Sequence, residues 1–319
     1  MNFVKLYKAI ISVLCYNKIN TKNFSKDFVI IYTVEGVGIM IINWYPGHMK
    51  KTKELIKEQL KLVDVVYELL DARIPMSSKN PDIDGIIGNK PKVIILNKVD
   101  LADPQITARW VDYFKRKEMT VIPVNTINGE GIRQVIEESE KVVKEKMDAL
   151  IEKGRRARPA RVMIAGIPNV GKSSLINKLA GRKSTQTGDR PGVTKGKQWI
   201  RLKGNMELLD TPGILWPKFE DQEVALNLAF TGAIKDQIMD IETLAYKLLE
   251  ILWNDHKDKI IERYKVNEEY ETTIEMMDHI ARNRGCILKG DEIDYSRISN
   301  ILLDEFRSGR IGRISLERP

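Results

Sequence analysis

Gly166-Ile167-Pro168-Asn169-Val170-Gly171-Lys172-Ser173 follows the apolar run Val162-Met163-Ile164-Ala165 and opens onto a helical pattern from about Ser173 to Leu179. Strand, glycine-bearing loop and helix in that order make a phosphate-binding loop. Its glycines let backbone N–H groups curl around phosphates, and the helix N-terminus adds a favourable dipole. On this reading Asn169, Val170, Gly171, Lys172, Ser173 and Ser174 hold the phosphates. Lys172 reaches the outer two phosphates and the Ser173 hydroxyl ligates Mg2+. An incidental glycine-rich turn is the competing reading, and the flanking strand and helix weigh against it.

Well upstream lies Asn97-Lys98-Val99-Asp100, at the end of the apolar run Lys92-Val93-Ile94-Ile95-Leu96. A carboxylate at Asp100 can accept from guanine N1–H and N2–H2 together, a pairing adenine cannot offer. A base that left this acid unpaired would be rejected. In an ordinary small GTPase the phosphate loop precedes such a stretch; here the order is reversed. Asp210-Thr211-Pro212-Gly213 ends a later strand, where the acid can hold Mg2+ through water and the Gly213 N–H can meet the γ-phosphate. Thr194, in Pro191-Gly192-Val193-Thr194, is a candidate second Mg2+ hydroxyl. Taken singly, Thr194 is a loop threonine and Asp210 to Gly213 a turn; the combination at strand ends is what is specific.

The surrounding pattern supplies the scaffold. Strands are predicted at Val63–Leu70, Lys92–Leu96, Val121–Val124, Val162–Ala165, 197–202 and 206–209, with helices near 104–117 and 130–150. Ile132, Val135, Ile136, Val143, Met147 and Leu150 fall at helical spacing. Such alternation implies an α/β fold with a doubly wound, mostly parallel sheet. From about residue 220 the pattern is helical only, clearest at 241–253 and 295–306, with Gly285 and Gly309 as helix stops. The expected organisation is a loosely ordered extension over 1–42, a nucleotide domain over 43–218 and a helical domain over 219–319. Met40 is a candidate start of the organised chain. The apolar run Ala9–Leu14 is far shorter than the roughly 20 residues that span a bilayer, and no small-residue cleavage pattern follows it. Cys15 and Cys286 match no metal or redox spacing, which favours a reduced, cytoplasmic setting, and with no apolar run of spanning length no membrane partner is expected.

Together these residues resemble a circularly permuted GTPase, and most closely the ribosome biogenesis GTPase A family. The resemblance runs from about Trp44 to Pro319. It includes Asn43-Trp44-Tyr45-Pro46-Gly47-His48-Met49-Lys50, Asp71-Ala72-Arg73 and the stretch from Phe306 to Pro319. It implies a P-loop GTPase fold in permuted order that binds GTP and GDP with Mg2+. It also implies slow hydrolysis that the large ribosomal subunit stimulates late in assembly. Ile214 stands where Ras-like enzymes carry a water-positioning glutamine, and an aliphatic side chain cannot orient water. The resemblance assigns that work to His48, whose imidazole can accept and donate at neutral pH; an RNA or packing contact beside Trp44 and Tyr45 is the alternative. Asn169 resembles the asparagine that binds K+ in potassium-dependent GTPases, with loop capping as the alternative. One departure concerns the fifth GTPase motif, where Asn125-Thr126 replaces the usual Ser-Ala. The contact to guanine O6 is made there by a backbone N–H, so the loop can still serve.

With 52 Lys and Arg against 44 Asp and Glu, the net charge is +8. Lys50, Lys53, Lys57 and Lys61 share a helix face; 153–161 is a basic connector; Arg282, Arg284, Arg297, Arg307, Arg310 and Arg313 cluster near the end. Such runs are often merely solvated, yet a helical tail after a GTPase in a basic chain favours an RNA surface. By resemblance that RNA is ribosomal and belongs to the large subunit, with a monomer expected off the ribosome. Two readings compete: an RNA-binding module for which GTP is a structural ligand, and a permuted GTPase for the small subunit. The reversed order means that the ordinary chain is cut just after Asp210 to Gly213, so the phosphate-sensing loop runs straight into the helical part. Nucleotide state is then expected to set the orientation or mobility of residues 220–319.

Overall fold

The computed structural model describes residues 28–34, 37–43, 57–81, 83–181, 199–209, 221–236, 239–267 and 269–319, the first two ranges as backbone only. The sequence reading placed no element in 1–42, whereas β1 (Phe28–Val34) and β2 (Val37–Asn43) pair as an antiparallel hairpin with Val34 opposite Val37. The reason is two β-branched runs set two residues apart, a hairpin spacing.

A six-stranded sheet organises the rest. Its strands are β3 (Val65–Asp71), β4 (Lys92–Asn97), β5 (Thr120–Val124), β6 (Ala160–Gly166), β7 (Trp199–Leu202) and β8 (Met206–Leu209), in the spatial order β5-β4-β3-β6-β8-β7. All neighbours are parallel except β7 and β8. Every residue of β3 is buried, as a central parallel strand covered on both faces requires. Val65, Tyr67 and Leu69 join one apolar cluster, while Val66 and Leu70 face clusters on the opposite side, the period of two that a pleat imposes.

Short helices α1 (Pro75–Ser78) and α2 (Ile83–Ile87) follow β3; α3 (Pro104–Arg116), α4 (Ile132–Glu152) and α5 (Lys172–Ala180) cover the sheet. On α4, Ile132, Val135 and Val143 are buried at the expected spacing. Beyond Asp221 come α6 (Gln222–Phe230), α7 (Ile241–Asp255), α8 (Lys257–Tyr264), α9 (Thr273–Asn283) and α10 (Tyr295–Arg307). Asp221, Asp240, Thr272 and Asp294 cap α6, α7, α9 and α10 through side-chain oxygens. Gly285 and Gly309, at φ +66° and +75°, end α9 and α10. In each case the next residue's N–H returns to the helix, Cys286 to Ala281 O and Arg310 to Glu305 O, both at 2.8 Å. The apolar cluster on the Val65 face continues through Leu228, Phe230 and Leu248 to Ile314, so sheet and helical region share packed core. The expected boundary at 218/219 lies outside the described residues.

Two basic stretches differ from their sequence reading. In the 153–161 connector, Arg158 forks onto Asp64 at 2.7 and 3.0 Å, and Arg161 pairs with Glu207 at 2.7 Å. Lys153, Arg155 and Arg156 are the exposed cations there. Among the C-terminal arginines, Arg307 turns onto Asp236 and the carbonyls of Ala229 and Phe230, and Arg313, an exposed residue, commits its guanidinium to two backbone carbonyls. Of the lysine face, Lys57 and Lys61 are exposed; Lys50 and Lys53 lie outside the described residues.

Candidate functional site

The carboxyl ends of β4, β3 and β6 converge, with Asp71 beside Asn97 and Leu69 beside Gly166 in register. This is the edge where open parallel sheets bind ligands. Gly166 passes so near β3 that a Cβ would meet Leu69 O at 2.8 Å. The loop then bends through Asn169 at φ +57° and Gly171 at φ +102° before α5 begins at Lys172. Val170 is buried and anchors the loop in the core, while Asn169 is exposed. Lys172 Nζ donates to Gly166 O at 3.0 Å and Ile167 O at 2.7 Å, folded over the loop it belongs to. Ser173 and Ser174 are half-buried on the first turn of α5.

Asn97, buried at the tip of β4, donates Nδ2 to Val170 O at 2.7 Å. This bond closes the two sequence motifs into one site. It also explains Gly171, where a Cβ would stand 2.2 Å from Asn97 Nδ2. Asn97 Oδ1 is buried with no partner among the described residues. Lys98, at φ +63°, sends Nζ to Asp71 Oδ2 at 3.0 Å. Asp71 is also gripped by Arg73, Nε to Oδ1 at 3.0 Å and Nη2 to Oδ2 at 2.8 Å. Burial alone would raise the Asp71 carboxyl, but the two adjoining cations outweigh it and hold the group below the usual carboxylate range. Burial lowers the Lys98 ammonium, against the pull of Asp71. Asp100 is half-buried one turn further on, before Asp103 caps α3.

Asn125 and Thr126 are nearly buried at the end of β5. The Asn125 carboxamide turns inward and accepts from Ile127 N at 2.8 Å and Asn128 N at 3.3 Å. That side chain shapes its own loop. Thr126 Oγ1 lies 3.8 Å from where a Gly171 Cβ would stand, which brings this loop to the same corner. A cleft of about 540 Å3 opens beside these motifs, lined by Arg73, Lys98, Asn169, Lys235, Asp236 and Arg307. In its lining Asn169 Nδ2 donates to Gly232 O at 2.7 Å, joining the phosphate loop to the segment after α6.

The structure thus brings together Asn97, Lys98, Asp100, Asn125, Thr126 and the loop from Asn169 to Ser174. His48, Thr194, Asp210 and Gly213 lie outside the described residues. Sequence reasoning missed the acid and cation beneath Lys98, and the reach of Arg313 to this corner. Both stretches, Asp71 to Arg73 and Phe306 to Pro319, carried the family resemblance without a chemical role; that was the available signal.

Known proteins resemble this chain in sequence and in fold. The family described as 50S ribosome-binding GTPase matches residues 161–284, beginning downstream of Asn97 to Asp100. Ribosome biogenesis GTPase A of Bacillus cereus is 49% identical over 88% of this chain and 95% of its own length. A GDP-bound structure of YlqF from Thermotoga maritima superposes with TM-score 0.62 at 30% identity, over 83% of this chain and 99% of that one. The GNP-bound form of the same protein gives 0.59 at 30% identity, over 84% and 98%.

Proposed function

This chain belongs to the ribosome biogenesis GTPase A family and is a GTPase, and from that premise we propose that its hydrolysis serves assembly of the large ribosomal subunit, which stimulates it. The single observation that supports the nucleotide site is the Asn97 Nδ2 to Val170 O bond, which joins a base-reading stretch to a phosphate loop. Asp100 accepts from guanine N1–H and N2–H2, and Lys98 lies along the base. The N–H groups from Asn169 to Ser174 receive the phosphates, Lys172 leaves Gly166 O and Ile167 O for them, and the Gly213 N–H meets the γ-phosphate. Asn125 sets the loop whose backbone, at Thr126, meets guanine O6.

Ser173, Thr194 and Asp210 offer hydroxyl and carboxylate oxygens, the hard donors that Mg2+ takes. That ion, when bound, neutralises charge on the β- and γ-phosphates. Asn169 commits Nδ2 to Gly232 O, so its oxygen is the end of the carboxamide that can meet K+. His48 orients the attacking water, since Ile214 cannot. Exposed Lys153, Arg155, Arg156, Arg282 and Arg310 suit phosphate contacts with ribosomal RNA. The protein works as a cytoplasmic monomer between rounds, and the Asn169 link transmits nucleotide state to residues 220–319.

Co-sedimentation with separated ribosomal subunits, in GDP and in a non-hydrolysable GTP analogue, tests this reading. Retention on the large subunit in the analogue state is expected. Retention on the small subunit alone would move the protein to the other particle, and binding to neither in either state would remove the assembly role.

A further inference from the structure

Residues 310–319 leave α10 and run back over the turn that follows Asn97. Gly309 comes so close that a Cβ there would meet Leu101 Cδ2 at 2.8 Å. Arg313 then donates Nη2 to Val99 O at 2.7 Å and Nε to Ala102 O at 2.9 Å. Ile314 N reaches Leu101 O at 2.9 Å, and Ser315 Oγ accepts from Asp103 N at 3.1 Å. Three consecutive tail residues therefore hold the backbone on both sides of Asp100. The two carbonyls taken by the guanidinium lie one residue before it and two residues after it.

The tail is itself fixed. Ile311 and Ile314 are buried, Lys259 Nζ donates to Arg313 O, and Leu316 N bonds Arg73 O at 2.9 Å. On its other side the turn is held by Asn97 and by the Asp103 cap. The backbone on both sides of Asp100 is thereby anchored. Bidentate pairing with one edge of a base is the kind of contact that tolerates little displacement.

We propose that Arg313 is a positioning residue for base specificity: it holds the Asp100 turn at the place where the carboxylate can meet two guanine donors at once. The inference rests on reading Asp100 as the base-recognising acid. Ionised donors make the stronger hydrogen bonds, and a guanidinium is a rigid fork that spans two carbonyls where an ammonium serves one. Without Arg313 the turn keeps its bonds to Ile314 and Ser315 but loses the two held by the guanidinium, and the two-point contact suffers more than the phosphate contacts do.

The test is a competition titration of the full chain with GDP and IDP, since IDP lacks the N2 amino group and forfeits one of the two bonds. R313A and R313K are each expected to narrow the GDP-over-IDP preference by about tenfold, the worth of one hydrogen bond. R263A, which breaks the Arg263–Glu305 pair inside the helical region, lowers the melting temperature and keeps the wild-type ratio. If R313A does not fold, R313K gives the same comparison. D100N separates the two layers of the argument, and is expected to move preference from GDP toward XDP. If D100N leaves base preference unchanged, the reading of Asp100 and the role of Arg313 both fall. If D100N moves it while R313K keeps the wild-type ratio, the Arg313 proposal alone is overturned.

Discussion

Asn97 and Val170 are joined by a 2.7 Å hydrogen bond from the Asn97 side-chain amide to the Val170 carbonyl, which ties the tip of β4 to the phosphate loop. Asn97→Ala removes the donor and leaves a buried carbonyl unpaired, at a cost of about 1–3 kcal/mol. Affinity for GDP is expected to fall by roughly tenfold or more, measured by titration with a fluorescent GDP analogue. Gly171→Ala, which forces a Cβ against Asn97 Nδ2 at positive φ, is expected to be at least as damaging.

Acid stability follows from Asp64. Burial would raise its carboxyl, but Arg158, Lys146 and the Arg161 N–H bring it down to about 2. A carboxyl whose folded pKa is depressed contributes fully above its unfolded pKa, and that contribution is lost as pH falls through the folded value. The loss therefore lies between about pH 4 and pH 2. Asp64→Asn is expected to lower stability at pH 7 by about 2 kcal/mol and to flatten the wild-type slope below pH 4. Urea melts at pH 7 and at pH 3 check both.

Two arginines that look alike in sequence should behave oppositely. Arg307 caps the last carbonyls of α6 and forks onto Asp236 at 2.7 Å, whereas Arg310 is exposed. Arg307→Ala is expected to destabilise by about 2–3 kcal/mol, with the Asp236 ion pair, the bond to Phe230 O and a cation at a helix C-terminus all lost. Arg310→Ala should leave the melting temperature unchanged and weaken binding to ribosomal RNA in a salt-dependent way.

His48 is expected to act on turnover alone. His48→Ala should lower subunit-stimulated GTP hydrolysis at least about tenfold while GDP affinity stays at the wild-type value. Unchanged stimulated turnover would take the histidine out of the reaction.

Much of this was legible before any coordinates. β3, β4 and β6 are parallel and covered on both faces, so they read as near-continuous apolar runs. The phosphate loop follows from local chemistry, in which Gly171 needs positive φ and Lys172 opens a helix. Gly285 and Gly309 stop helices for equally local reasons. What stayed hidden depends on distant partners. Asp71 and Arg73 reveal their part only because strand register sets Asp71 beside Asn97 and brings Lys98 onto it. Arg313 carries a charge that composition assigns to the surface, and only the return path of the tail turns it onto Val99 and Ala102. Asn125 departs from the family pattern, and only the folded loop shows its carboxamide accepting from Ile127 N.

Single-turnover GTP hydrolysis by the full chain, alone and with purified large or small ribosomal subunits, tests the central claim most directly. Faster hydrolysis with the large subunit and no change with the small one is the predicted result. An identical rate in all three conditions would contradict it.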